Sequence, residues 1–188
     1  VVVRRGRSAS VVRGPAAGAV QSFTHDRLTL SVDLTGSDVR RLSAELDPMK
    51  QLRSFARGRV LDVYANTGGF GLHLADAGAS QAVLVDENPA LQERGRAAAE
   101  HNKLGSKIDI VTAEPLAWLK QVQASFDVVV CHPPHEALPR DKAEKRAIDI
   151  AQTALKLVGE GAIFCARSNS ASLDDERFAA ALQESATQ

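Results

Sequence analysis

The sequence predicts an α/β fold, a doubly wound and mostly parallel sheet preceded by an N-terminal β-hairpin. Three observations carry that reading. Short apolar runs recur from residue 59 onward: RVLDVY, QAVLVD, KIDIVT, FDVVVC and GAIFCA. Each is β-rich and almost unbroken, as strands covered on both faces require. Helical stretches separate them, and strand and helix alternating at this spacing means parallel strands with right-handed crossovers. Finally, 188 residues with 44% hydrophobic content suffice for one domain with a substantial core.

Taken in order, the chain opens with a local basic arm, Arg4, Arg5, Arg7 and Arg13, without an acid among residues 1–14. This is either a solvated tail or a phosphate contact. RGPAAG (13–18) reads as a turn or loop between a short strand near SVV (10–12) and RLTLSVDL (27–34). The latter alternates Leu28, Leu30, Val32 and Leu34 against Thr29, Ser31 and Asp33, the period of a half-buried strand. Residues 37–56 are helical in character, with Pro48 expected to interrupt them. Helices are expected near 70–77, 89–103, 115–122, 141–157 and 174–185. Trp118 and Leu119 should pack one of them on the sheet, while His73 and His101 ride helices. The fifth core run, residues 162–166, would leave an apolar edge exposed unless further strands, the hairpin or a second chain covers it. The chain begins at Val1 rather than Met and is expected to be a piece of a longer protein.

Composition narrows the function classes. Formal net charge is zero, so no global field draws the protein to nucleic acid or membrane. No apolar run approaches the roughly 18 residues of a membrane span. Cys131 and Cys165 lie in strand-like runs and point to a reducing compartment, the cytoplasm or an organellar matrix, not to a disulfide scaffold.

The chemistry begins in LDVYANTGGFGLHLADAG (61–78), which follows the first core strand and opens a helix. Gly68 and Gly69 permit a tight turn and close approach of a ligand, and the helix presents free N–H groups. Asp86 ends the second strand, where an acid can accept from a ribose hydroxyl pair. A dinucleotide is disfavoured because the G-x-G-x-x-G spacing is replaced by Tyr64-Ala65-Asn66-Thr67-Gly68-Gly69, whose side chains crowd a pyrophosphate. A ligand without phosphates fits better, and S-adenosyl-L-methionine is the common one. Asp62 either balances that ligand's ammonium or caps backbone groups at the strand end.

The stretch VLDVYANTGGFGLHLADAGASQAVLVDENPALQERGRAAAEHNKLG (60–105) resembles motifs I and II and the following helix of Rossmann-like class I methyltransferases. It is most similar to the large-subunit rRNA methyltransferase family that joins a PUA domain to such a domain. The TGGF turn, the following Gly-Ala, the V-x-V-D strand and the N-K-L carry the likeness, and VVVRRGR…GP…LTLSVDL resembles that family's linking hairpin. The resemblance implies residues 1–36 as a basic β-hairpin and linker, and 37–188 as the methyltransferase-like domain, truncated after the fifth strand. It implies that Asp62, Tyr64, Asn66, Thr67, Gly68, Gly69 and Phe70 line the methionine and ribose side, with Asp86 on the ribose. Glu114 falls where an acid usually meets the adenine amino group, and equally where an acid favours a helix N-terminus ahead of Pro115.

The family's fourth strand ends in Asp-Pro-Pro, and here the stretch is His132-Pro133-Pro134. Two fixed φ angles and two missing N–H groups make a rigid wall beside the transferred methyl group. His132 is either a base in place of the acid or a replaced acid under no chemical demand. Zinc on Cys131, His132, His135 and Cys165 is disfavoured, because a polyproline step from His132 to His135 spans about 9 Å. Family members that make 5-methylcytosine attack with a cysteine, where Ser168 stands here and Cys165 lies three positions early. Upstream, the family's Gly-Tyr-Tyr-Leu-Asp-Gln-Arg is Ser43-Ala44-Glu45-Leu46-Asp47-Pro48-Met49. The implied function is methyl transfer from S-adenosyl-L-methionine to RNA, with rRNA first. The alternative is a degenerate methyltransferase-fold subunit that contacts RNA or docks a protein partner or second copy at its open sheet edge.

Overall fold

The computed structural model describes residues 2–5, 8–11, 20–34, 38–134, 139–167, 173 and 175–186. Two antiparallel pairs come first: β1 (Val2–Arg5) with β2 (Ser8–Val11), and β3 (Val20–His25) with β4 (Leu28–Asp33). Helix α1 (Asp38–Leu52) and a 3-10 turn (Arg53–Phe55) lead into the main sheet. Its strands are β5 (Arg59–Val63), β6 (Gln81–Asp86), β7 (Ile108–Thr112), β8 (Phe126–Cys131) and β9 (Val158–Ala166). All four pairings are parallel and the order is β7-β6-β5-β8-β9. Helices α2 (Gly69–Ala77), α3 (Pro89–His101), α4 (Pro115–Leu119) and α5 (Arg140–Leu155) join successive strands, and α6 (Asp175–Ala186) follows β9. The chain order reverses between β5 and β8, and ligands of open α/β sheets bind in the crevice at that point, beyond the strands' carboxyl ends.

Alternation along each strand splits the core into two layers. Val60, Ala82, Leu84, Val128 and Val130 face α1, α2, α3 and β4, meeting Met49, Leu72, Leu74, Ala98 and Leu30. Leu61, Val63, Val83, Val85, Val129 and Cys131 face α4 and α5, meeting Leu119, Ile150, Ala154 and Leu157, with Trp118 packed alongside. A smaller cluster of Ala147, Ala151, Leu173 and Phe178 fastens α6 to α5. Each fully buried Leu or Val contributes about 1.5–3 kcal/mol, so the sheet ends are held firmly enough to carry a site.

Two expectations are corrected. Pro48 does not end the first helix, which runs on to Leu52. The lost backbone hydrogen bond is offset by packing, since Glu45 and Met49 on either side are both buried. The partner of RLTLSVDL is Val20–His25, joined through Asp26 and Arg27, whereas Ser10 and Val11 belong to the separate first pair. The inward positions of β3 are Gln21, Phe23 and His25, so the strand lacks the apolar alternation that marks β4. Leu28 and Leu30 seat the hairpin in the core with Phe23 alongside, and polar bonds at its turn and on β4 add to this. Arg27 and Arg53 both meet Asp76 Oδ2 at 2.7 Å, and Asn102 brackets Thr29 through its N–H (2.9 Å) and its carbonyl (2.8 Å). Strand β9 is an edge of the sheet, and among the described residues none pairs with its outer side. No described helix is long and apolar enough to cross a membrane. Arg7 and Arg13 of the basic arm, His135 and Ser168 lie outside the described residues.

Candidate functional site at the strand carboxyl ends

The loop between β5 and α2 keeps a glycine-type backbone while carrying side chains. Tyr64 (φ +61°) and Asn66 (φ +55°) are both left-handed, as is Gly68 (φ +78°). A left-handed non-glycine residue costs on the order of 1–3 kcal/mol, less for Asn, and such strain gathers at functional sites. The loop is held from three sides. Ala65 N–H donates to the Val85 carbonyl (3.0 Å), Gly68 N–H to the Ala65 carbonyl (2.8 Å), and Asn66 N–H to Asp86 Oδ2 (2.9 Å). Gly68 is required on two counts, since a Cβ there would stand 2.5 Å from Leu84 Cδ1. A Cβ on Gly69 would collide with the Met49 thioether, so α1 closes over the turn. A Cβ at Gly95 would lie 3.2 Å from the Thr67 carbonyl oxygen, so α3 presses on it from the other side. Thr67 is buried, and Phe70 joins the apolar core beside Met49.

Asp62 and Asp86 bond to this loop and the helix it opens, Glu114 follows the edge strand β7, and all three are anchored by backbone N–H groups. Asp62, 2% exposed, accepts from Gly71 N–H at 2.9 Å, tying β5 to the first turn of α2. Asp86 accepts from Asn66 N–H through Oδ2 and from Asn88 N–H through Oδ1 (3.0 Å). Glu114 caps α4 with both oxygens, to Leu116 N–H (3.2 Å) and Ala117 N–H (2.6 Å), and lies 3.6 Å from Arg146. Of its two readings, the helix cap is the one the geometry carries. Two buried amide oxygens nearby have no hydrogen-bond partner: Asn66 Oδ1 and Gln92 Oε1. Gln92 is fixed by its amide N–H bonds to the carbonyls of Asp86 (3.4 Å) and Val111 (3.5 Å), so its orphan oxygen belongs to the β6–β7 end of the crevice. Orphaned buried acceptors cost about 1–3 kcal/mol each unless a ligand donor meets them. Hydroxyl, amino and ammonium groups are such donors, so the residues present fit an adenosyl amino-acid ligand.

At the end of β8, His132 N–H donates to the Val63 carbonyl (3.3 Å), setting the residue beside the loop's first turn. Pro133 is buried and Pro134 exposed, so the proline step runs from the crevice to the surface. His132 Nδ1 stands 2.5 Å from Glu45 Oε1 on α1, and both side chains are within 5% of complete burial. The same helix thus brings Met49 to the cofactor turn and Glu45 to the proline wall, one turn apart on one face.

The remaining candidates separate cleanly. Burial pushes the Cys165 thiol up, Asp62 reinforces this, and Arg167 only partly opposes it. Cys131 is wholly buried. Neither is an activated thiolate. His73 is a core residue bonded at both ring nitrogens: Nδ1–H donates to the Gly69 carbonyl (2.7 Å), and Nε2 accepts from His25 Nδ1–H (2.9 Å). Burial lowers its pKa below the ordinary 6.5, the Gly69 bond works against this, and His25 and Arg53 reinforce it. The hairpin is therefore wired to the carbonyl of the turn glycine. The sequence reading did not single out Glu45, Met49, Gln92 or the His25–His73 pair. Only the four-residue spacing of Glu45 and Met49 hints at a shared helix face, and nothing local marks Gln92.

Comparisons with known proteins agree with this fold. The family described as a methyltransferase domain matches residues 60–159, just over half of the chain. A ribosomal RNA large subunit methyltransferase I from Photobacterium profundum is 32% identical over 127 residues, 64% of this chain and 32% of that protein. Its namesake from Escherichia coli is 27% identical over 191 residues, 95% of this chain and 48% of that protein. The chain thus spans less than half the length of either relative. A crystal structure determined as a complex with SAH superimposes with a TM-score of 0.79 at 17% identity, covering 96% of this chain and 50% of that one. At that identity the likeness is one of fold.

Proposed function

This chain belongs to the methyltransferase-domain family, and from that premise we propose that it transfers a methyl group from S-adenosyl-L-methionine to RNA, large-subunit rRNA first, in the cytoplasm. The observation that carries the reading is the strained turn itself. Tyr64 and Asn66 hold a glycine-type backbone at an energetic cost, braced by Met49, Leu84 and Gly95. A turn serving only as a connection would relax that strain, so the degenerate-subunit alternative is not favoured.

In this reading Asp86 and Asn66 receive the ribose hydroxyls, and Gln92 faces the donor groups at the β6–β7 end. Asp62 holds the first turn of α2 in place for the amino-acid end, and Tyr64, Thr67, Gly68, Gly69 and Phe70 shape the floor. When bound, S-adenosyl-L-methionine supplies an electrophilic methyl on a sulfonium that leaves readily. The protein's own contribution is chiefly position. Its crevice excludes water, fixes the ligand between two strand ends, and backs it with Pro133 and Pro134, which cannot fray or turn helical. The open side of β9 is proposed as the place for further sheet or a partner chain. RNA as the substrate rests on the names of the two rRNA methyltransferase relatives. The test is transfer of labelled methyl from S-adenosyl-L-methionine to separated large-subunit rRNA, small-subunit rRNA, tRNA and protein. Label confined to large-subunit rRNA is expected, and label in tRNA or protein would redirect the substrate assignment.

A further inference from the structure

The β3–β4 hairpin and the cofactor turn meet through two imidazoles, and that contact can hold only a limited number of protons. His73, on α2, has no exposed surface. Its Nδ1 lies 2.7 Å from the Gly69 carbonyl oxygen, and its Nε2 lies 2.9 Å from Nδ1 of His25, a half-buried residue at the end of β3. A carbonyl only accepts, so the His73 proton sits on Nδ1 and Nε2 is left to accept from His25. One added proton is tolerated. On His25 it leaves the Nδ1–H in place, and on His73 it makes the same bond run the other way. A second added proton is not tolerated. Hydrogens would then face each other on both nitrogens, between two like charges on rings whose centroids are 5.0 Å apart.

The charged neighbours leave this limit standing. Asp26, in the hairpin turn, favours a proton on His73, but it lies 3.2 Å from Arg53. Arg53 opposes that proton, and its guanidinium also donates to the His73 carbonyl (3.3 Å). Asp76, further along α2, is taken by Arg27 and Arg53 at 2.7 Å each, and Lys107 bonds the Ala75 carbonyl (3.1 Å). Burial holds His73 below its ordinary 6.5, whereas a ring reached by water takes a proton more readily, so acid favours the open contact.

We propose that His25 and His73 form a proton-gated latch between the hairpin and the cofactor turn, closed while the two rings share at most one added proton and open when each carries one. Opening frees the His25 end of β3, while Leu28 and Leu30 keep β4 in the core. The His73 ring then loses the partner that holds it against the Gly69 carbonyl, and the first turn of α2 loosens. Cofactor affinity thereby depends on pH through a contact on the hairpin side of α2.

The coupling to the ligand rests on the methyltransferase reading, whereas the latch itself is measured without ligand. In the full chain, hydrogen exchange over residues 20–28, corrected for intrinsic rate, should lose protection between about pH 7.5 and about pH 5. His25→Gln keeps a donor and cannot charge, so it should keep its protection in acid. Equal losses in the two chains would overturn the latch. With S-adenosylhomocysteine as the calorimetric probe, wild-type Kd should weaken at least about fivefold over the same range. His25→Gln should stay flat, and His25→Ala should bind weakly even at neutral pH. Titration elsewhere in the site or on the ligand is common to all three chains and cancels in the comparison. Parallel Kd profiles in wild type and His25→Gln would overturn the coupling. No binding by the wild type at any pH would overturn the cofactor reading instead, with the latch still decided by exchange.

Discussion

The two mouths of the crevice are built on opposite principles. At the ends of β5 and β6, Asp62 and Asp86 are fixed by bonds to backbone N–H groups, from Gly71 and from Asn66 and Asn88. At the end of β8, the charged partner is another side chain, Glu45, brought from a helix that precedes the sheet. Backbone anchoring makes the first mouth depend on loop conformation, so its residues are constrained by neighbours in sequence. Side-chain anchoring frees the second mouth, where an acid can move to another element if the geometry is restored. It fits the resemblance read from the sequence, in which TGGF and the strand-ending Asp86 match the family pattern and the residue before Pro-Pro departs from it.

Substitutions can break or sharpen this contrast. The largest effect is expected from Gly68→Val, which combines a left-handed φ with a clash on Leu84. It should cost about 3 kcal/mol or more in chemical denaturation and abolish S-adenosyl-L-methionine binding. Asp86→Ala comes next. It strands the Asn66 and Asn88 N–H groups and should cost about 2–4 kcal/mol with at least tenfold weaker binding by calorimetry. Glu114→Ala should cost about 1 kcal/mol as a lost cap and leave affinity within threefold. A tenfold loss would put Glu114 on the adenine instead. The smallest effect concerns pH. His73 has a folded pKa below its unfolded value of 6.5, so the unfolded chain binds more protons between the two. Stability from this group is complete above about 6.5 and is lost as pH falls toward the folded value. Denaturation midpoints across that range should fall with acid in the wild type and flatten in His73→Gln.

Much of this was legible in the residues. The five apolar runs, the helices between them and the TGGF turn depend on local pattern, and the structure places each within a few residues of its expected bounds. Strand β3 was not legible, because polar residues, Gln21 and His25, take two of its inward positions, His25 by bonding His73. The continuity of α1 through Pro48 was hidden for a similar reason: Glu45 and Met49 are anchored by β8 and Gly69, contacts made only after the chain has folded. The Glu45–His132 pair is the sharpest case. Each partner looked like a loss when set against a family pattern, and only their meeting turns two departures into one feature.

The most direct measurement is calorimetric titration of the folded chain with S-adenosyl-L-methionine, supported by thermal denaturation. A single saturable site is expected, abolished by Gly68→Val. At ~100 times Kd the ligand should add about 2.7 kcal/mol and raise Tm by about 5–10 °C. No heat and no shift at millimolar ligand, with the wild-type fold intact, would contradict the account.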